Sequence, residues 1–314
     1  MSGERGRTWL RAVEWALALV VLAAIGRYLV REWDRLAART WDVDWALLAI
    51  GSALVVLAYS LFVLLWRHLV AKLGGRLTVV DAHRIWYIGN LARYVPGKVL
   101  QLAGLAYLAR AKGIGSVLTV GSIVVAQLFV VAAGLILSLV TLPGSTVSLP
   151  GGWPAALMAA ALLTAILLTP LFDHAHRLAL RLAGRAEAHV RVPVKARAGL
   201  LLGYLAAWAV FGLGFALFVD AVSGGVAGST SALMGICATG YLAGWLAVFV
   251  PGGLGVREGV YALLLAEVLP GPLAAAVAIL SRLWLTAVEL LVAGFLTLRY
   301  GLKDLRVSTA AGPR

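Results

Sequence analysis

The chain of 314 residues is 62% hydrophobic and only 13% charged, with a mean hydropathy of +0.94. A soluble domain carries about 25% charged residues, so this composition excludes an ordinary globular enzyme and describes an integral membrane protein. The net charge of +13 lies largely in short loops and tails, where Lys and Arg set membrane orientation, and the absence of an aromatic-interleaved basic domain leaves no case for nucleic acid as a partner.

Arg5, Arg7 and Arg11 precede an apolar run over residues 13–30. A basic front and a short apolar stretch also fit a signal peptide, but the repeat that emerges below needs an uncleaved first span here. Residues 45–69 form a second span, 25 residues and long enough to cross, and Arg67, His68, Lys72, Arg76 and Arg84 follow as a basic connection. The next segment, 83–112, contains NLARYVPGKVLQLAGLAYLAR and is interrupted at Pro96-Gly97. Residues 117–142 are a long span, SLPGGWP is an uncharged connection, and 154–172 span again. The most basic loop follows, with Arg177, Arg181, Arg185, Arg191, Lys195 and Arg197 against Asp173 and Glu187. Residues 200–222 cross, SGGVAGST carries no charge, 231–269 are broken within VFVPGGLGVREG, and 272–300 form the last span before a basic tail.

Proline lacks the amide proton and clashes with the preceding turn, and clustered glycines favour open backbone. Pro96 and Gly97, and then Pro251, Gly252, Gly253 and Gly255, are therefore expected to end helices. Irregular backbone at membrane depth is tolerated only where protein or a water-filled cavity surrounds it.

The positive-inside rule puts the amino terminus, loops 67–84 and 173–198 and the carboxyl tail in the cytoplasm, leaving Arg31, Arg35 and Arg39 as the cations that face outward against the rule. Each broken segment must then begin and end on the same side. The two breaks lie 155 residues apart, each preceded by two spans and followed by one, which is the pattern of an inverted-topology repeat. The expected fold is an all-α integral membrane domain over 1–314, with about six full transmembrane helices plus two re-entrant hairpins. The pseudo-repeats cover 1–145 and 153–302, and 303–314 form a cytoplasmic tail. The alternative is two kinked spans and eight crossings.

Asn90, Arg93, Lys98 and Gln101 surround the first break, and Arg257 and Glu258 follow the second. Arg282 and Glu289 are seven residues apart, hence on one helical face. Four cations and two carboxylates thus gather at the expected centre, and the excess of cations predicts an anionic ligand. Half-helices starting after Gly97 and Gly255 would add free amides and a positive dipole end, a ready phosphate site. Arginine contributes a planar fork and Lys98 a point charge. The competing account pairs Arg257 with Glu258 or Glu289, and Arg282 with the other, as internal ion pairs, and lets Arg93 and Lys98 snorkel to the headgroups. His174, His176 and His189 come without paired carboxylate or cysteine ligands, so no metal and no cofactor is expected. Cys237, the single cysteine, sits in an apolar run and reads as a core residue.

The run PGGLGVREG over 251–259, the downstream Arg282, and Asn90 ahead of Pro96-Gly97 resemble the transmembrane family named after lysylphosphatidylglycerol synthase, the flippase-like part of the multiple peptide resistance factor. Many members carry a Gly-Gly-acid triplet where Leu100, Gln101 and Leu102 stand here. The resemblance implies a translocase that moves an anionic phospholipid or a polyprenyl-phosphate-linked lipid across a bacterial inner membrane, with both termini cytoplasmic. In that role Arg257 and Arg282 would hold the phosphate and Arg93 and Lys98 would add a second basic contact. Asn90 and Gln101 would hydrogen-bond, while Glu258 and Glu289 orient the arginines or exchange a proton. It does not imply synthesis, because the aminoacyl-transferring part of bifunctional relatives is a separate soluble domain. Besides the lipid, a second copy of the chain and a separate lipid-modifying enzyme are compatible partners. A membrane-embedded lipid-modifying transferase and a non-catalytic envelope assembly protein are the rival functions.

Overall fold

The computed structural model describes residues 42–91, 98–142, 152–173, 192–225, 228–247 and 253–301, with Arg27 and Val30 ahead of them. The expected first span, Arg93, Pro96, Gly97, Pro251, Gly252, the three loop histidines and the tail 303–314 lie outside the described residues, and so does the side chain of Lys98. The described residues form helices and connecting turns without a strand.

Four helices are long and apolar enough to cross a membrane: α1 (Trp45–Lys72), α4 (Ser116–Thr141), α6 (Val194–Ser223) and α9 (Gly271–Tyr300). Between them lie α2 (Val79–Asn90), α3 (Lys98–Arg110), α5 (Gly152–Leu168), α7 (Thr230–Leu246) and α8 (Val256–Leu265). In the second segment expected to break, α7 ends at Leu246 and residues 253–255 form a turn ahead of α8; Pro96-Gly97 and Pro251-Gly252 themselves fall in the sequence gaps between α2 and α3 and between α7 and α8, outside the described residues. The apolar run of α5 is shorter than the four spans at 17 residues. It extends about 25 Å at 1.5 Å per residue, against a hydrocarbon core of about 30 Å.

One boundary differs usefully from expectation. α6 starts at Val194, six residues before the apolar run, because Pro193 has no amide to satisfy and Val-Lys-Ala-Arg continues as helix. This draws Arg197 out of the basic loop. Its side chain is 2% exposed, donates to the Thr169 carbonyl at 2.9 Å, lies 3.6 Å from Asp173 and stacks over Phe172.

Helices α1 and α6 run antiparallel and in close contact. The Asp44 N–H donates to the Ala221 carbonyl at one end, and Leu65 packs on Gly203 toward the other. At the crossing, a methyl group added to Gly51 or to Gly214 would come within 2.9 Å of the other's carbonyl oxygen. Without a hydrophobic drive between helices in lipid, small residues at such crossings let backbones approach and gain dispersion contact. Indole N–H groups finish the interlocking: Trp66 donates to Ser122, Trp208 to the Val130 carbonyl and Trp284 to Ser52, at 3.0, 2.9 and 2.8 Å. Each bond joins two helices and gives its indole donor a partner in the apolar interior.

The ends of the elements sort onto two faces. At one, Arg67 donates to the Leu77 carbonyl, Lys112 meets Asp81 at 3.0 Å, Gly75 sits under Ile114, and Arg84 donates to the carbonyls of Tyr300 and Gly301. At the other, Asp44 joins Ala221 and Gly228 abuts Val268. The described cations at helix ends concentrate on the first face.

Candidate functional site

The second break is built by a short chain of local causes. Gly255 has φ +81, a conformation that costs an L side chain but not glycine, and it ends the irregular backbone before α8. Glu258, in the first turn of α8, reaches back so that its Oε2 accepts the Gly255 N–H at 2.6 Å. One of the amides expected to be free at this helix end is therefore already used. The other carboxylate oxygen, Oε1, lies 3.4 Å from Arg282 Nη1 of α9, so this ion pair ties the two helices.

Arg257 is in a different position. It is 9% exposed, with its guanidinium 4.8 Å from the Tyr241 ring centre and 5.3 Å from that of Tyr261. Its Nη2 donates to the Tyr261 hydroxyl at 3.2 Å, and that hydroxyl donates to the Cys237 carbonyl at 3.0 Å. Cation–π contacts of this kind contribute about 2 kcal/mol when desolvated, yet they do not neutralise the charge. Among the described residues Arg257 makes no ion pair with a carboxylate. The competing account is thus half right: Arg282 has Glu258, whereas Arg257 rests on aromatic rings.

Helix α7 permits this arrangement by lacking side chains at two positions one turn apart. A methyl at Gly240 would fall 2.2 Å from Tyr261 Cδ1, and one at Gly244 would fall 2.7 Å from Arg257 Cβ.

Arg257 and Arg282 border a cavity of about 180 Å³ whose lining includes Asn90 and Leu91, ahead of Pro96-Gly97 in sequence, and Gly253, just after Pro251-Gly252. Glu289 lines it too and is 7% exposed, as its placement seven residues from Arg282 implies. Gln101 Nε2 donates to Asn90 Oδ1, so the two amides meet across the first break. Of the eight residues singled out for binding, six line or adjoin this cavity: Asn90, Gln101, Arg257, Glu258, Arg282 and Glu289. The described part therefore brings together two cations and two carboxylates, and the charge argument rests on Arg257 alone.

Sequence reasoning missed the aromatic and neutral polar lining. Tyr241, Trp208 and Tyr87 were hidden in apolar runs, but two signals were there to use. Tyr261 follows Arg257 by four residues, hence one turn along the same face. Gln127 is the single amide inside 117–142, and a polar side chain in a membrane span faces the protein interior by default.

Residues 15–293 match the family described as the lysylphosphatidylglycerol synthase TM region. The chain belongs to this family. The match includes every residue that lines the cavity, so the lysylphosphatidylglycerol synthase TM-region fold and the candidate site coincide in sequence. No curated protein matches the chain. Membership in this family, with four membrane-spanning helices, makes the protein a multi-pass membrane protein with a lipid-related function.

Proposed function

We propose that the protein is a flippase-like lipid translocase that receives the anionic headgroup of a phospholipid or polyprenyl-phosphate lipid in the central cavity while the tails remain in the bilayer. The observation that carries this reading is Arg257. A guanidinium buried in a low-dielectric interior is costly without a counter-charge, and here aromatic faces and one hydroxyl hold it beside a cavity, with no carboxylate on it among the described residues. A phosphate entering the cavity supplies the missing charge through the bidentate geometry that arginine favours. Arg282 stands by, held in place by Glu258. Arg93 and Lys98, beside the first break, add the second basic contact, and Asn90 and Gln101 supply hydrogen bonds. Glu289 orients the arginines or carries the exchangeable proton.

Two contacts support the accompanying architecture of six spans and two re-entrant hairpins. Lys112, just past α3, meets Asp81, at the start of α2, so the first broken segment leaves near where it entered. Val268, just past α8, meets Gly228, ahead of α7. With both hairpins ending at one cavity, rocking of the two pseudo-repeats about the proline-glycine breaks would open it to each face in turn. The basic face is then cytoplasmic, in a bacterial inner membrane, and any uphill movement draws on an ion gradient or on lipid supply.

The test is translocation by purified protein in liposomes carrying fluorescent phospholipids or a fluorescent polyprenyl phosphate, read as label accessible to dithionite. Wild type should expose protected label, and a folded Arg257→Ala protein should be slower by about a hundredfold, as expected for loss of a charged contact inside a closed site. Equal rates from the two folded proteins would remove Arg257 from the mechanism, and no transport of any lipid by wild type would overturn the reading.

A further inference from the structure

The arginine end accounts for only part of the cavity. The lining also includes Tyr87 of α2 and Gln127 of α4. Tyr87 is 4% exposed, and its hydroxyl has no hydrogen-bond partner among the described residues. Gln127 Nε2 is buried and equally unpartnered. Buried polar atoms are paired in the great majority of cases, so two orphans in the lining of one cavity call for a ligand that pairs them.

Gln127 Nε2 can only donate, whereas the Tyr87 hydroxyl can donate or accept, and the amide narrows the chemistry. An ammonium headgroup would leave Gln127 Nε2 unpaired, because it has protons to give and no lone pair to offer. The ligand must present acceptors here. Next to them the bond from Gln101 to Asn90 uses one amide oxygen and one amide nitrogen, leaving Asn90 Nδ2 and Gln101 Oε1 for a group that both accepts and donates. Hydroxyl groups do both. The same cavity carries the indoles of Trp86 and Trp208, and broad aromatic faces beside a few convergent polar groups suit a flat apolar face that carries hydroxyls on its rim. A sugar ring has that shape; a flexible glycerol has the hydroxyls without the face.

We infer that this part of the lining forms a glycosyl subsite, so that the lipid carried is a phosphodiester whose headgroup is a sugar. The inference rests on the reading of Arg257 as the phosphate contact and adds the group beyond the phosphate.

Three phosphodiesters test it, each with a farnesyl tail and one negative charge, and with ethyl, glyceryl or glucosyl as the second ester. Binding is measured by titration calorimetry on the full chain in detergent. The glucosyl compound should bind at least about tenfold more tightly than the ethyl one, as expected when a ligand pairs otherwise unsatisfied donors. Gln127→Leu and Tyr87→Phe should each shrink that ratio several-fold. Tyr87→Phe should also melt no lower than wild type, since it removes a polar atom that has no partner among the described residues, and this keeps the test decisive if Gln127→Leu does not fold. Arg257→Ala should weaken all three compounds and so reports the phosphate contact by itself. Equal binding of the three compounds, a glyceryl compound as tight as the glucosyl one, or a ratio unmoved by Tyr87→Phe overturns the glycosyl subsite, while loss of affinity in Arg257→Ala would leave the phosphate reading standing. If Arg257→Ala weakens none of them, or wild type binds none, both readings fall.

Discussion

Glu258 does two jobs with its two oxygens, one holding the Gly255 amide at the start of α8 and the other facing Arg282. The jobs can be separated by chemistry. The substitution Glu258→Gln keeps an oxygen for the amide but removes the charge, so it isolates the ion pair from the cap. Removing one partner of a buried pair costs about 3–5 kcal/mol; the side chain of Arg282 is 14% exposed and has contacts besides Glu258, so the loss should fall below that range. Denaturation of the purified variant in mixed detergent measures it. Adding Arg282→Met should return part of the lost stability, because it removes the charge that Glu258→Gln deprives of its carboxylate, while the amide oxygen stays on the Gly255 N–H. If the double variant is no more stable than the single one, the pair does not act as a unit.

At the scale of elements, close approach of α7 to α8 decides whether Arg257 can sit between two tyrosines. Tyr261 cannot swing away from a new side chain without giving up its bonds to Arg257 and to the Cys237 carbonyl. Gly240→Ala should therefore destabilise by about 1–3 kcal/mol, the usual cost of overpacking, and should weaken anion binding in parallel. Gly121→Ala is the control: no atom lies within 4 Å of the added methyl, so it should be neutral or gain about 0.5–1 kcal/mol from helix propensity. Melting temperatures of the two variants would check the contrast, and a Gly240→Ala protein as stable as wild type would mean that α8 yields freely. The same elements explain what is legible in the sequence. Long apolar runs announce α1, α4, α6 and α9, and the proline-glycine clusters fall in the sequence gaps between α2 and α3 and between α7 and α8, since backbone chemistry acts locally. The lining of the cavity is far less legible. A helix apolar on every side shows no period that separates its lipid face from its cavity face, so Trp208 and Tyr241 read like any other membrane aromatic. Only charge or an amide stands out, which is why Arg257, Arg282, Glu289 and Gln101 are found that way and Tyr87 is not. The start of α6 is hard to place for a related reason: Arg197 looks like a loop cation until Thr169 and Asp173 are seen to cover it.

For the whole molecule, the decisive question is whether the two broken segments turn back or pass through. Helix α2 has 12 residues, or about 18 Å of a hydrocarbon core about 30 Å thick, too short to cross by itself. Turning back there places residues 76 and 116 on one side of the membrane and residues 231 and 267 on the other. A kinked span places the members of each pair on opposite sides. Counting termini cannot separate the two, because both schemes leave the termini together. Single cysteines can. The protein's own Cys237 is fully buried and free, so a Cys237→Ser background is silent, and Arg76, Ser116, Ser231 and Glu267 are all exposed. Oriented vesicles treated with a membrane-impermeant maleimide should label Arg76→Cys and Ser116→Cys from one face only, and Ser231→Cys and Glu267→Cys from the other only. Labelling of Arg76→Cys and Ser116→Cys from opposite faces would make the first segment a crossing, and the antiparallel entry of two hairpins into one cavity, on which alternating access depends, would be lost with it.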